Sequence, residues 1–276
     1  MKHNQWFVQS KADYKIFVQQ WLPDDGEVKA VVCLLHGSGE HSGRYDHVVE
    51  VLIAAHIVVI AYDHYGHGQS EGKRGDMLSI AACLTDVADI CEYASQQFLD
   101  KPLYLYGHSM GGNIALNAAL RQSLPISGLI LTSPWLRLAF SPSPFKVWLG
   151  KKLVNIVPTL QQSTGLKNED LNRPGFRPVR TNNDPLLHTR VTVRAFVALE
   201  EAGAWALQHG DELKVPLLLL HGDADNITAY EASVELKKTV GANCRFITFH
   251  GGYHELHNDL EGEKMLREVV DWISLD

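Results

Sequence analysis

Pro102-Leu-Tyr-Leu-Tyr-Gly-His-Ser-Met-Gly-Gly-Asn113 decides how this chain is read. Leu103 to Tyr106 is apolar and strand-like, and Ile114-Ala-Leu-Asn-Ala-Ala-Leu120 is a run of helix formers. Between them stands Gly107-x-Ser109-x-Gly111, a tight turn with Ser109 at its tip. A serine hydroxyl is a poor nucleophile until it is exposed beside a base. A sharp strand-to-helix turn lifts it clear of a sheet and strains its backbone. Flanking glycines let neighbouring chain pass without a Cβ clash. The following helix aims the positive end of its dipole at the place where an oxyanion would form. The pentapeptide alone arises by chance in loops. The strand before it and the helix after it supply the context of a nucleophile turn.

Outward from that turn, strands and helices alternate. Residues 5–9 and 14–21 alternate in polarity as an edge hairpin. Ala30–Leu35, Ile57–Ala61, Gly128–Thr132, Val215–Leu220 and Cys244–Phe249 are apolar runs of strand length. Continuous apolar runs of this kind belong to strands covered on both faces. Helical spacing marks Tyr45 to Leu52, Ile80 to Phe98, Val191 to His209, Tyr230 to Val240 and Met265 to Ile273. The alternation predicts an α/β fold with a mostly parallel, doubly wound sheet. It breaks at Ser133-Pro134, and prolines then cluster up to Pro185. The expected organisation is therefore a core of residues 1–134 and 190–276 with a mainly helical cap inserted over 135–189. The most apolar piece of that cap, Phe145 to Val157, suits a lid over an acyl pocket and transient contact with a lipid surface.

Composition excludes several classes. A net charge of −7, with no basic run, argues against a nucleic-acid partner. No stretch approaches the length of a membrane span, and the N-terminus lacks the apolar core of a signal peptide. A cytoplasmic location, peripheral to membranes at most, is expected. Cys33, Cys83, Cys91 and Cys244 have no metal spacing and fit buried free thiols in a reducing compartment. Asn226-Ile-Thr228 matches a glycosylation sequon, but without a secretory signal it carries no weight.

In a parallel sheet, reactive groups gather on loops beyond the carboxyl ends of the strands. Ser109 follows one strand. Asp223 and Asp225 follow a second, and His250, His254 and His257 follow the last. The order serine, acid, histidine is one of the known triad orders. Asp225 is favoured over Asp223, which stands close enough to its strand to serve only as a turn cap. His254 is favoured over its neighbours because Gly251-Gly252 gives it room to approach Ser109. His250, His254, His257 and Asp259 do not have the spacing of a metal motif. No metal or organic cofactor is expected.

The chain resembles the monoacylglycerol lipase and lysophospholipase family of α/β-hydrolases. The resemblance rests on His36-Gly-Ser-Gly-Glu-His-Ser-Gly-Arg-Tyr45, Asp63-His-Tyr-Gly-His-Gly-Gln-Ser-Glu-Gly72, Gly107-His-Ser-Met-Gly111, His221-Gly-Asp-Ala-Asp225 and Tyr253-His-Glu-Leu-His257. It implies Ser109 as nucleophile, Asp225 as acid and His254 as base. It also implies an oxyanion hole from the backbone N–H groups of Ser38 and Met110. Glu40, Arg44 and His257 would form a polar end that meets glycerol, although Glu40 and Arg44 equally suit a loop-stabilising ion pair. Ser38 stands where the family often has a small apolar residue, a change to which a backbone donor is indifferent. The cap matches the family poorly beyond Asp184-Pro-Leu186, so acyl length stays open. A lysophospholipase, a general carboxylesterase, a peptidase or acyltransferase on the same fold, and a non-catalytic binding protein are the rival readings.

Overall fold

The computed structural model describes residues 1–140, 152–173 and 183–275. In chain order, the strands and α-helices are β1 (Lys2–Gln9), β2 (Lys15–Leu22), β3 (Ala30–Leu35), α1 (Asp46–Ala54), β4 (Ile57–Tyr62), α2 (Ile80–Gln97), β5 (Leu103–His108), α3 (Met110–Arg121) and β6 (Gly128–Thr132). They continue with β7 (Gln161–Ser163), β8 (Arg190–Thr192), α4 (Val193–Gln208), β9 (Leu217–Gly222), α5 (Tyr230–Val240), β10 (Cys244–Phe249) and α6 (Gly262–Ser274). Eight strands form one sheet in the order β1-β2-β4-β3-β5-β6-β9-β10. β1 and β2 pair antiparallel at one edge, and β2 meets β4 antiparallel. From β4 to β10 every pairing is parallel. This is the mostly parallel, doubly wound α/β sheet expected from the alternation, and it agrees with the α/β-hydrolase fold that the resemblance implies.

The apolar strands read as they do because the sheet has two cores. Successive strand residues face opposite sides. Val31, Cys33 and Leu35 of β3 enter the layer that α2, α3, α4 and α5 cover, together with Leu103, Leu105, Leu129 and Leu131. Val32 and Leu34 enter the layer under α1 and α6, together with Tyr104, Tyr106, Ile130, Leu218 and Leu220. Each such side chain contributes about 1.5–3 kcal/mol by burial, so both registers must be apolar. The edge strand β1 is exposed over Lys2–Gln5, and beyond that only Trp6 and Val8 are half-buried.

The break after β6 is present. Within 135–189 the described residues show a short strand, β7, and a 3-10 turn at Asn168–Asp170. β7 pairs antiparallel with β8, which lies just beyond the insertion. The expected lid segment lies outside the described residues up to position 151. The helix expected from Val191 starts two residues later. Thr192 caps it by accepting the Ala195 N–H, and its hydroxyl is held by Asp76 at 2.7 Å.

Candidate active site

Strand β5 ends where the chain turns sharply into α3. Ser109 sits at that turn with φ 51° and ψ −114°. A side chain at positive φ costs on the order of 1–3 kcal/mol and persists only where surroundings enforce it. Here the Ser109 N–H donates to the Thr132 carbonyl at 3.0 Å, and its own carbonyl accepts from Asn113 and Trp135. The glycines follow from close packing. A Cβ on Gly111 would lie 2.3 Å from the Leu35 carbonyl oxygen, and one on Gly107 2.5 Å from that of Gly111. The turn can exist only without those side chains.

The acid and the histidine meet because two loops abut. Asp223 N–H donates to Phe249 O at 3.2 Å and Ala224 N–H to Gly252 O at 3.1 Å, so the loops after β9 and β10 run together. Asp225 Oδ2 then lies 2.7 Å from His254 Nδ1, and His254 Nε2 lies 2.9 Å from Ser109 Oγ. Both carboxylate oxygens of Asp225 are held in place. Oδ1 accepts the N–H groups of Ile227 at 2.7 Å and Thr228 at 3.0 Å. Oδ2 also accepts from the Thr228 hydroxyl at 2.8 Å and meets His221 Nε2 at 3.1 Å. Burial opposes ionisation of Asp225, but the charges and hydrogen bonds of His254 and His221 outweigh it and hold the carboxyl far below its usual range. Burial likewise opposes the charge on His254. Asp225 overcomes it, by charge and hydrogen bond, and raises that histidine above its ordinary value.

Of the alternatives, Asp223 pairs with His250 at 2.8 Å on the surface, away from Ser109. Asp259 accepts from Tyr253 N–H and Arg173. Among the described residues no group of three or more His, Cys, Asp or Glu is arranged to hold a metal ion.

Ser38 and Met110 border the turn and line one narrow pocket. Met110 is the first residue of α3, so its N–H has no partner within the helix. The Ser38 N–H makes no hydrogen bond to any described residue. The loop carrying Ser38 is braced from below. Glu40 Oε1 accepts the Gly37 N–H at 2.5 Å and the Tyr45 hydroxyl at 2.7 Å. Glu40 Oε2 pairs with Arg44, which also reaches Glu255 at 3.2 Å. Burial disfavours the Glu40 charge, yet Arg44 holds it ionised, well below the usual range. Glu40 and Arg44 are thus brought together as a buried ion pair. His257 is buried beside them, its ring stacked on Tyr45.

Several contributors escape a reading of the sequence. His221 and Thr228 orient Asp225. Their signal lies in plain view, since His221 opens the segment that ends in Asp225, and Thr228 reads only as part of a sequon. His108 packs 4.9 Å from the His254 ring and holds Thr132 Oγ1 at 3.1 Å. Burial, then the nearby His254, lowers it to about 4. Glu255 is invisible as a partner of Arg44 because 211 residues separate them.

Fold and site together define a class: a hydrolase of the α/β-hydrolase fold with a hydrogen-bonded serine, histidine and aspartate. The profile of the family described as "Serine aminopeptidase, S33" matches residues 26–261. The monoglyceride lipase of Rattus norvegicus is 32% identical over 264 residues, covering 94% of this chain and 86% of that protein. The phospholipase YtpA of Bacillus subtilis is 29% identical over 241 residues, covering 86% and 92%. The crystal structure of Paleococcus ferrophilus monoacylglycerol lipase superposes with a TM-score of 0.84 at 33% identity, covering 94% of this chain and 98% of the other. The chain belongs to the monoacylglycerol lipase family of α/β-hydrolases.

Proposed function

We propose that the protein hydrolyses monoacylglycerols to fatty acid and glycerol, with Ser109 as nucleophile, His254 as base and Asp225 as the orienting acid. The observation that carries this reading is the continuous hydrogen-bond chain from Asp225 through His254 to a strained Ser109. His254 takes the hydroxyl proton as Ser109 attacks the ester carbonyl, then gives it to the departing glycerol. Asp225 keeps the imidazole proton on Nδ1 and stabilises the imidazolium. The N–H groups of Ser38 and Met110 receive the developing oxyanion. Water repeats the cycle on the acyl-enzyme and frees the acid.

Glu40 and Arg44 are read as the brace of the oxyanion loop rather than as glycerol ligands, because each is already satisfied by buried partners. The same pairing bears on the rivals. A peptidase acting on a free amino terminus needs a carboxylate to spare, and a lysophospholipid phosphate needs a cation. Glu40, Glu255 and Arg44 are committed to one another, so none of these three is offered to a charged leaving group.

Residues 135–189 are assigned as the cap. Ile156, Val157 and Leu160 are exposed on it, with Ile156 at 74%, and supply an apolar surface for transient contact with lipid. Among the described residues no helix is long and apolar enough to cross a membrane. All four cysteines are free and buried, which supports a reducing compartment. The testing experiment offers the purified protein monoacylglycerols of graded chain length, lysophospholipids and aminoacyl anilides. Equimolar glycerol and fatty acid from the first group is expected. Preferred cleavage of either other group would overturn the substrate assignment.

A further inference from the structure

The segment between β6 and β8, read above as the cap, reaches back to the loop that carries His254. Three consecutive residues make the contact. Leu171, itself buried, accepts the Glu255 N–H on its carbonyl at 2.7 Å. Asn172 Nδ2 donates to the Asn258 carbonyl at 3.0 Å. Arg173 Nε donates to Asp259 Oδ1 at 2.7 Å, and Arg173 Nη2 lies 3.7 Å from the Glu261 carboxylate. A Cβ on Gly251 would lie 3.5 Å from Arg173 Nη1, so the guanidinium lies across both ends of the histidine loop. The ester chemistry described above makes no use of these contacts.

Asp259 shows what they hold. Its Oδ2 accepts the N–H of Tyr253, the residue before His254, at 2.8 Å. Its Oδ1 accepts the Leu260 N–H at 2.6 Å as well as Arg173. The carboxylate thereby closes residues 253–259 into a compact turn with His254 inside it. Asp259 is 1% exposed, and a charge buried so deeply needs a partner. Arg173 supplies that partner from a distant part of the chain. Without Arg173 the carboxylate gains more from turning toward water than from holding Tyr253, and the turn loosens.

His254 has little room for such a change. Its two ring nitrogens stand 2.7 Å from Asp225 Oδ2 and 2.9 Å from Ser109 Oγ, and the backbone that sets both distances is this turn. A displacement of about 1 Å in a catalytic group costs on the order of a hundredfold in rate. His254 serves acylation and deacylation alike, so a shifted ring slows both steps and leaves substrate binding as it was.

We propose that Asn172 and Arg173 are positioning residues for the reaction: by holding the turn over residues 253–259 shut, they seat the His254 imidazole between Asp225 and Ser109. The proposal rests on the reading of those three residues as the catalytic triad. Its test measures kcat and KM of the full chain on p-nitrophenyl acetate and on a monoacylglycerol. Thermal melts verify folding, and fluorophosphonate labelling to completion counts the active sites. Arg173→Gln releases the turn in part and should lower kcat per active site about tenfold on both esters, with KM within about twofold. Arg173→Lys keeps a cation beside Asp259 and should recover part of that loss. Lys167→Ala, which removes an exposed cap pair with Glu169, should leave both constants unchanged. A folded Arg173→Gln enzyme with wild-type kcat overturns the proposal. So does a loss confined to KM, a loss confined to the monoacylglycerol, or a lysine variant no faster than the glutamine one. If Arg173→Gln does not fold, Asn172→Ala decides, because it leaves no charge buried. It should lower kcat about threefold at constant KM, the value of one neutral hydrogen bond, and wild-type kcat there overturns the proposal. A wild-type protein that hydrolyses neither ester would sink the triad reading itself, a failure distinct from these.

Discussion

Asp225→Asn removes one charge and almost no volume, and the groups around the carboxylate dictate how the amide must sit. Ile227 and Thr228 direct their N–H groups at Oδ1 from 2.7 and 3.0 Å. In the variant, the amide oxygen must face those donors. The NH2 group then takes the place of Oδ2, 2.7 Å from His254 Nδ1. An amide NH2 only donates, so His254 must turn a lone pair to it and carry its proton on Nε2, 2.9 Å from Ser109 Oγ. The imidazole now meets the serine as a donor and cannot take its proton. His221, 3.1 Å from the same position, must shift its own proton too. In triad hydrolases the corresponding change costs about 10⁴ in kcat, about 5.5 kcal/mol of barrier. Steady-state hydrolysis of p-nitrophenyl butyrate, with a thermal melt to verify folding, measures it. Asp223→Asn is the control: Asp223 meets the exposed His250 and the Gly251 N–H but not His254, an amide oxygen can still accept from Gly251, and the variant should stay within about twofold. A folded Asp225→Asn enzyme that loses less than about tenfold would refute the reasoning.

The same contacts lead to three other outcomes. The rate should fall as pH drops, because protonated His254 cannot act as base, and the acid limb of kcat/KM should lie above the ordinary histidine value. A limb below it would contradict the role of Asp225. Glu40→Ala frees the Gly37 N–H and slackens the oxyanion loop. It should lower kcat about tenfold to a hundredfold, part of the loss of a full oxyanion donor, and equally for p-nitrophenyl esters and monoacylglycerols. A loss confined to monoacylglycerols would restore the glycerol-binding reading. Asp86, buried against Ser10 and Tyr14 on the far side of the sheet from α1, is raised by burial from 3.8 to about 6. A raised carboxyl stabilises the fold below its unfolded value and loses that contribution as pH climbs through about 6, here up to about 3 kcal/mol. In Asp86→Asn, chemical denaturation at pH 4 and pH 8 should show a smaller difference than in the wild-type protein.

The sequence is most legible where burial is two-sided. β3 and β6 fall on the expected residues because both neighbouring layers demand apolar side chains, leaving no ambiguity of face. β8 is illegible as a strand since Arg190–Thr192 is too short for any period to show, and it exists only because β7 lies alongside. At the site, Ser109, Asp225 and His254 can be singled out by their place after strands, and the structure brings them into one hydrogen-bond chain. The Arg44 contact to Glu255 cannot be seen, because it depends on how the first and last post-strand loops meet in space. Glu40 and Arg44 suit a glycerol end or a loop-stabilising ion pair equally well in sequence, and the partners Gly37, Tyr45 and Glu255 become visible only in the fold.

The central claim is that Ser109 is the nucleophile, and a covalent adduct tests it most directly. The intact protein is treated with a fluorophosphonate probe, weighed, and digested to locate the label. The account predicts one adduct per chain, carried by the peptide containing Ser109, blocked by prior incubation with a monoacylglycerol and absent in Ser109→Ala. Labelling at another residue, or undiminished labelling and hydrolysis in folded Ser109→Ala, would contradict it.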